Sequence, residues 1–301
     1  MTKSIWIGLA IAILVAPTTP ALADPIIAAA GDIACRPATG NFNNGLGTSH
    51  KCQMLATSQL LANEGPLAAI LALGDNQYPK GGLDDYLQSY ALSWGQTDLF
   101  DLTHPVPGNH EYGTPGARGY YEFFGAKAGD PLQGYYSFDI GSWHIVALNS
   151  TCKKVGGCDA SSPQALWLAA DLAAHPAQCI LAYAHHPMFS SQGGSVRQQY
   201  RAYAPLLYQA RADIFLSGHR HIYGRLRPQS ITGQSDSSGI REFIVGTGGK
   251  DLQKDHGSFE VVSNAEFGVL FLTLHETGYD WNFVSIGSDG ITDSGSGACS
   301  P

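Results

Sequence analysis

Several patterns that would define simple protein classes are missing from this chain. Its 301 residues contain no block of like charge, no low-complexity run and no internal repeat, which favours one domain. No C-x-x-C pair occurs, which argues against a zinc ribbon, and no Walker lysine pattern accompanies the glycines at 246–249. The formal net charge of −8 argues against general binding to nucleic acid or to anionic membranes.

The amino terminus has the composition of a secretory signal peptide. One cation, Lys3, precedes an apolar run at 5–16, and prolines and small residues follow. The run is shorter than the roughly 20 residues that a bilayer-spanning helix needs, so a retained membrane anchor is disfavoured. We predict that residues 1–23 are removed and that residues 24–301 form one mature domain. The protein is then secreted or periplasmic, without stable membrane insertion.

All six cysteines lie in the predicted mature chain. An even number of cysteines in an exported protein indicates disulfides, and six cysteines allow 15 connectivities. Short separation favours Cys152 with Cys158 and Cys35 with Cys52. Cys179 and Cys299 are then the remaining pair. The sequence alone leaves the connectivity open.

Short apolar runs alternate with helical segments in the first part of the chain. The unbroken runs at 26–30 and 67–73 are typical of strands covered on both faces, and 52–62 is a helical crossover between them. Further predicted segments are helices at 83–92, 164–174 and 196–210, strands at 106, 180–184, 213–216 and 243–245, and hairpins at 135–148 and 268–286. Interleaved elements followed by late hairpins indicate an α/β fold of two mixed β-sheets packed as a sandwich and flanked by α-helices.

Five of these segments end in groups that are able to bind a metal ion. The carboxyl ends of buried strands in an α/β fold converge on one crevice, so groups spread over roughly 190 residues are expected to meet there. Mixed oxygen and nitrogen donors suit zinc, iron or manganese better than calcium. The pattern predicts a two-metal hydrolase. The groups are Asp32, Asp75 and Tyr78, then Asn109, His110 and Glu111, and finally His185, His186, His219 and His221.

Each of these motifs is weak by itself. A lone Gly-Asp or Gly-Asn-His is usually turn chemistry, with the carboxylate capping its own loop. The metal interpretation gains strength because five motifs follow one another, each at the end of an apolar run. Neighbouring residues of a strand point to opposite faces, so only one of His185 and His186 is expected to face the metals.

In order and residue type, the motifs resemble the signature of the calcineurin-like metallophosphoesterases over about residues 26–287. The wider family carries Asp-x-His at the first motif, whereas Ala34 takes the place of the histidine here. Tyr78 completes a Gly-Asp-x-x-Tyr motif similar to that of the purple acid phosphatases, in which the tyrosine binds ferric iron. The resemblance therefore implies a compact, bacterial-type member of the purple acid phosphatase-like branch, with four layers in the order α/β/β/α.

The resemblance also implies two sets of ligands that share Asp75. Ferric iron beside ferrous iron, zinc or manganese is the preferred pair of ions, with two zinc ions as the alternative. The same resemblance favours His185 over His186 as a ligand. One ion would take Asp32, Asp75, Tyr78 and His221, and the other would take Asp75, Asn109, His185 and His219.

The implied reaction is hydrolysis of a small phosphate monoester with a metal-bound hydroxide as nucleophile. His110 is assigned to protonating the leaving oxygen or stabilising the transition state. Glu111 would orient His110 or raise its pKa, and His186 would line the pocket. Phosphodiester or nucleotide hydrolysis on the same site is the enzymatic alternative, and a non-catalytic phosphate- or metal-binding protein is the alternative from another class. No segment indicates a protein partner.

Overall fold

The structure is a computed structural model that describes residues 23–190, 195–255, 257–287 and 290–300. Residues 1–22, which make up nearly all of the predicted signal peptide, lie outside the described residues. Within the described residues the α-helices are α1 (Met54–Asn63), α2 (Leu83–Gln88), α3 (Thr97–Asp101), α4 (Arg118–Phe124), α5 (Pro163–Ala174) and α6 (Ala204–Gln209). The strands are β1 (Ile26–Ala30), β2 (Leu67–Ala72), β3 (Thr103–Pro105), β4 (Tyr136–Ile140), β5 (Trp143–Ala147), β6 (Cys179–Tyr183), β7 (Ile214–Ser217), β8 (Tyr223–Arg225), β9 (Arg241–Val245), β10 (Val261–Ser263), β11 (Gly268–His275), β12 (Gly278–Ser285) and β13 (Asp293–Ala298).

The strands form two sheets. One has the order β13-β12-β11-β1-β2-β3 and the other the order β10-β8-β9-β7-β6-β5-β4. Both sheets are mixed: β1, β2 and β3 are parallel beside antiparallel β11, and β5, β6, β7 and β9 are parallel beside antiparallel β4 and β8. The prediction of two mixed sheets accompanied by helices is confirmed.

The second sheet is apolar on both faces because each face covers a different core. Leu181 of β6 and Leu216 of β7 belong to the core between the two sheets. Their neighbours Ile180 and Phe215 point the other way and pack with Leu168 of α5. Both faces of these strands are therefore removed from water, which explains why their sequences are continuous apolar runs rather than alternating ones.

Two predicted helices are shorter than expected. In place of a helix over 196–210, the structure has one 3-10 turn at Gln198–Tyr200 and then α6. Pro205 lies in the first turn of α6, where its missing N–H group is tolerated and where it prevents the helix from extending further upstream. The helix expected over 83–92 ends at Gln88 because Ser89 has a non-helical backbone, with φ −133° and ψ −69°.

The sequence did not predict β8, β10 or β13. Strand β13 has the sequence Asp-Ser-Gly-Ser-Gly-Ala, which lacks the apolar pattern of a strand. Its glycines lie directly opposite aromatic residues of β12, Gly295 beside Trp281 and Gly297 beside Tyr279. A Cβ atom on Gly295 would lie 2.4 Å from Trp281 Cζ2, and one on Gly297 would lie 2.5 Å from Tyr279 Cζ. The glycines make room for the aromatic rings, so packing rather than strand propensity forms this edge.

Disulfides join the three predicted cysteine pairs. The longest-range one, between Cys179 at the start of β6 and Cys299 after β13, ties the end of the chain to the second sheet. Among the described residues, no helix combines the length and apolar character needed to cross a membrane.

Candidate metal centre

The carboxyl ends of parallel strands from both sheets meet at one edge of the sandwich. Backbone hydrogen bonds join the sheets there, since Gly31 N–H donates to Val245 O at 2.8 Å and Gly248 N–H donates to Gly31 O at 2.9 Å. All seven predicted ligands belong to one network of contacts at this edge, as the topology of the fold predicts. They are Asp32 after β1, Asp75 and Tyr78 after β2, Asn109 after β3, His185 after β6, and His219 and His221 after β7.

Three of these residues have an unusual backbone. The φ angles of Asp32, Asp75 and His219 are 59°, 47° and 65°, in the left-handed region that residues other than glycine rarely adopt. Gly74 also has a positive φ, and a Cβ atom there would lie only 2.6 Å from His185 Cβ. Backbone strain of this kind is held in place by surrounding structure and clusters at functional sites.

The Tyr78 hydroxyl lies at the centre of a first group of donors. It is 2.7 Å from Asp32 Oδ1, 3.2 Å from Asp75 Oδ2 and 3.0 Å from His221 Nε2. His221 Nε2 is also 3.1 Å from Asp32 Oδ1. Two carboxylates, a phenol and an imidazole therefore direct their ligand atoms at one small volume, and all four residues belong to the first predicted set.

A second group of donors surrounds His185 Nε2. This atom is 3.2 Å from Asp75 Oδ2, 3.2 Å from Asn109 Oδ1 and 3.2 Å from His219 Nδ1. The four residues are those of the second predicted set. Asp75 Oδ2 contacts the central atom of each group, which is the position that a ligand shared by two ions must take.

The tautomers of His185 and His221 leave the nitrogen that faces the centre, Nε2, as the acceptor. His185 Nδ1 is 3.0 Å from Leu73 O, which only accepts, so Nδ1 carries a proton and Nε2 is the atom left to bind an ion. His221 Nδ1 is 2.5 Å from Asp251 Oδ1 and is directed in the same way. A carboxylate or carbonyl behind a metal-binding histidine fixes its tautomer and orientation. In the neutral tautomer each Nε2 offers a lone pair to the centre, so the oxygen and nitrogen atoms that face one another there form a donor set that fits a cation.

The electrostatics of the centre favour ionised carboxylates. Burial would raise the pKa of Asp32 and of Asp75, but His221 beside Asp32 and His185 beside Asp75 outweigh burial, and both pKa values lie below the usual range. Burial opposes protonation of His185, yet Asp75 raises the pKa of His185 to about 9. Burial, Asp32 and Asp75 together hold the pKa of the Tyr78 phenol well above its usual value. Bound cations would replace imidazole and phenol protons as partners of these carboxylates.

His110 lies at the rim of the centre. Its side chain is 36% exposed, its Nε2 is 3.8 Å from Asp75 Oδ2, and its ring centroid is 4.4 Å from that of Tyr78. Its Nδ1 is 2.6 Å from Pro79 O. Because this carbonyl only accepts, Nδ1 carries a proton, and Nε2 is the atom free to exchange a proton at the site.

Glu111 contacts the backbone of the centre instead of the His110 ring. Its Oε2 accepts from Gly108 N–H at 2.7 Å, and its Oε1 accepts from Gln77 N–H at 3.2 Å and from Tyr86 OH at 3.1 Å. These hydrogen bonds go to backbone N–H groups and to a tyrosine, so they do not include the contact with the His110 ring that the predicted orienting role requires. Glu111 instead joins the loop after β3 to the loop after β2, and so supports Asn109 and Asp75 together.

His186 lies beside His185, contrary to the expectation that the two side chains point apart. The His186 ring is 4.9 Å from that of His185 and 4.2 Å from that of His219, and its Nδ1 is 2.8 Å from Ser150 Oγ. The expectation is wrong because β6 ends at Tyr183, so the alternation of a strand no longer applies. Burial lowers the pKa of His186 to about 2, which keeps the ring neutral beside the centre.

Asp251 is a residue of the centre that the sequence did not indicate. Its Oδ1 holds His221, and burial, which would raise the pKa of Asp251, is outweighed by His221 and Lys250, so that the pKa is well below its usual value. Asp251 follows the glycines after β9, and the Lys250 N–H donates to Asp32 O at 2.9 Å. The sequence signal that could have identified Asp251 is the position of its carboxylate just beyond the carboxyl end of β9, another parallel strand.

The chain is similar to known phosphoesterases. The model of the calcineurin-like phosphoesterase family matches residues 27–223. Purple acid phosphatase 22 of Arabidopsis thaliana is 32% identical over 124 residues, which cover 38% of this chain and 27% of that protein. Purple acid phosphatase 21 of the same plant is 31% identical over 121 residues, covering 38% of this chain and 26% of that protein. The match thus spans about a quarter of the length of these relatives.

Solved structures share the fold. Purple acid phosphatase PPD1 from yellow lupin (Lupinus luteus) superimposes with a TM-score of 0.71 at 16% identity, covering 91% of this chain and 53% of the lupin chain. GAP50 of Plasmodium, described as the anchor in the inner membrane complex, has a TM-score of 0.59 at 18% identity, covering 92% of this chain and 90% of its own. The family model covers well over half of the sequence, and the chain belongs to the calcineurin-like phosphoesterase family.

Proposed function

We propose that the protein is an exported, dinuclear-metal phosphoesterase of the purple acid phosphatase type that hydrolyses phosphate monoesters. In this proposal residues 1–23 are a signal peptide and residues 24–301 are one mature domain. Membership of the phosphoesterase family and similarity to purple acid phosphatases support the reaction class. Three disulfides agree with an oxidising compartment.

One observation carries the proposal: two groups of four donors share Asp75 Oδ2, one group centred on Tyr78 OH and the other on His185 Nε2. The phenol favours ferric iron in the first group, since hard anionic oxygen ligands suit that ion, and iron, zinc or manganese suits the mixed second group. A pair of zinc ions is the alternative. We assign Asp32, Asp75, Tyr78 and His221 to one ion, and Asp75, Asn109, His185 and His219 to the other.

The remaining groups have roles that follow from their positions. When bound, the two cations supply positive charge that lowers the pKa of water and polarises phosphoryl oxygens. His110, with Nε2 at the rim and Nδ1 held by Pro79, is placed to give a proton to the leaving oxygen. Neutral His186 can contact a phosphate oxygen beside His219. Glu111 keeps the loops of Asp75 and Asn109 in register.

The metal assignment is tested by elemental analysis together with the visible spectrum of the purified protein. We expect two metal ions per chain and, where iron occupies the first position, visible absorption from the tyrosinate. Tyr78→Phe should abolish the absorption, while Tyr208→Phe, a tyrosine bonded to Asp236 away from the centre, should retain it. Absorption that persists in Tyr78→Phe would reject Tyr78 as a ligand.

The substrate class is tested by comparing p-nitrophenyl phosphate with bis(p-nitrophenyl) phosphate. A monoesterase should have the higher kcat/KM on the singly esterified compound. An equal or higher kcat/KM on the diester would replace the proposal with a phosphodiesterase on the same residues. Absence of turnover on both compounds in protein loaded with two metal ions would favour a binding protein.

A further inference from the structure

A cleft of about 330 Å³ adjoins the proposed metal centre on the side of Tyr78. Tyr78 and Pro79 form the part of its wall nearest the centre, and the Cys35–Cys52 disulfide forms another part. The cleft is lined by three cationic side chains from separate parts of the sequence. They are Arg36, Lys51 and Lys250.

Three cations line this cleft, and two carboxylates, Asp251 and Asp85, pair with them. Lys51 Nζ and Lys250 Nζ lie 3.4 Å and 3.3 Å from the same atom, Asp251 Oδ2. The other oxygen of Asp251 is bonded to His221, so one carboxylate serves three cationic or proton-donating groups. Arg36 is 55% exposed and its nearest carboxylate, Asp85, is 3.8 Å away. On a chain with a formal net charge of −8, a site with surplus positive charge points to an anionic ligand.

The cationic groups are held in place by the backbone around the centre. Lys51 pairs with Asp251 in an antiparallel bridge, and Cys52 N–H donates to Lys250 O at 3.1 Å. Lys250 Nζ lies 5.1 Å from the centroid of the Tyr78 ring. The cleft therefore shares Tyr78 with the proposed centre, and Lys250 is joined to it by the hydrogen bond from its N–H group to Asp32 O.

We propose that this cleft binds a second anionic group of the substrate. The enzyme would then prefer phosphate monoesters that carry another phosphate or a carboxylate a few bonds from the scissile ester. The inference rests on the proposed phosphoesterase function, because the scissile phosphate must occupy the metal centre for the second anion to reach the cleft. The partly apolar walls at Pro79 and at the disulfide reduce screening by water and strengthen the attraction.

The test uses two non-hydrolysable ligands of matched size, butylphosphonate and 4-phosphonobutyrate, which differ only by a terminal carboxylate. Isothermal titration calorimetry on the metal-loaded protein measures both dissociation constants. We expect 4-phosphonobutyrate to bind about tenfold more tightly, and we expect this ratio to fall toward one as sodium chloride is raised from roughly 0.01 M to 0.3 M.

Three variants test the residues. Lys250→Met removes a charge and keeps most of the aliphatic stem, and Arg36→Met does the same at the exposed side of the cleft. Each should lower the affinity ratio by about three- to fivefold, because each removes one unit charge near the ligand. Lys127→Met is the matched control, since Lys127 donates to Asp101 O away from the cleft, and it should leave the ratio unchanged.

The outcomes separate this inference from the function on which it rests. An affinity ratio near one in the wild-type protein, or a ratio that is the same in all variants, overturns the proposal that the cleft binds an anion. The proposed phosphate site at the metals would be unaffected by that result. Failure of both phosphonates to bind overturns the proposed phosphoesterase centre, and the cleft with it. A high ratio that falls in Lys250→Met and Arg36→Met but not in Lys127→Met supports the proposal.

Discussion

Gly108→Ala should damage both halves of the proposed centre through a single methyl group. A Cβ atom at this position would lie 2.2 Å from Asp75 Oδ1 and 2.4 Å from Asp75 N. Ordinary contact requires about 1 Å more separation, so either the loop after β3 or the turn after β2 must move. Overpacking of this kind costs about 2 kcal/mol in the free energy of unfolding. Because Asp75 Oδ2 contacts the central atom of both donor groups, the displacement reaches both predicted ions.

Two measurements check this prediction. Thermal unfolding of the metal-free protein should give a Tm about 4–8 °C lower for Gly108→Ala, given that about 1 kcal/mol shifts a domain of this size by 2–4 °C. Metal titration should give affinities lowered by more than about tenfold for both ions. Gly40→Ala is the control, because nothing lies within 4 Å of a Cβ atom there. If Gly108→Ala matched Gly40→Ala in Tm and in metal affinity, the close approach to Asp75 would not matter and our account of the shared ligand would be refuted.

Three further predictions concern single side chains. Asp251→Asn should weaken binding of the ion assigned to His221 by about 10- to 100-fold and leave the other ion bound. Metal analysis after partial chelation can distinguish the two ions. Equal loss of both ions would contradict a role of Asp251 in positioning His221. His110→Ala should lower kcat sharply at unchanged metal content, and unchanged kcat would remove His110 from the mechanism. Burial raises the pKa of Glu242 to about 7, while its hydrogen bonds, including that from Ser217, only partly oppose this. The folded state therefore holds more protons on Glu242 than the unfolded state does between the ordinary glutamate pKa of 4.5 and about 7. The contribution of Glu242 to the free energy of unfolding should then fall by about 3 kcal/mol as pH rises through that window. Glu242→Gln should flatten this slope in urea unfolding measured from pH 4.5 to 8, and an unaltered slope would show that another group causes it.

The fold was predictable where burial leaves a strong pattern. Continuous apolar runs such as β6 and β7 identified strands covered on both faces, and Ser162 before Pro163 marked the start of α5, where the Ser162 hydroxyl accepts from Ala165 N–H. Elements formed by packing were not predictable. Strand β13 exists because its glycines accommodate the rings of Trp281 and Tyr279, a relation between distant residues that no local pattern records.

The candidate site follows the same division. The predicted ligands each stand at the end of an apolar run, and the parallel topology brings them together. The partners behind them were not evident, because a residue such as Asp251 acquires its role only through its contact with His221. The contacts of Glu111 were not evident for a related reason: adjacency in sequence suggested His110 as its partner, whereas its carboxylate accepts from backbone N–H groups.

The position of the centre links metal binding to the joining of the two sheets. Asp32 and Asp75 end strands of one sheet, and His185 and His219 follow strands of the other. In the metal-free protein three residues at this junction have left-handed backbone conformations, and that strain opposes folding. Ions that bind only the folded arrangement would stabilise it by about 2.7 kcal/mol per site at a hundredfold excess over Kd. The strained turns are thus the ones that direct the donor side chains at a common volume, so bound ions would offset a cost that the junction itself creates.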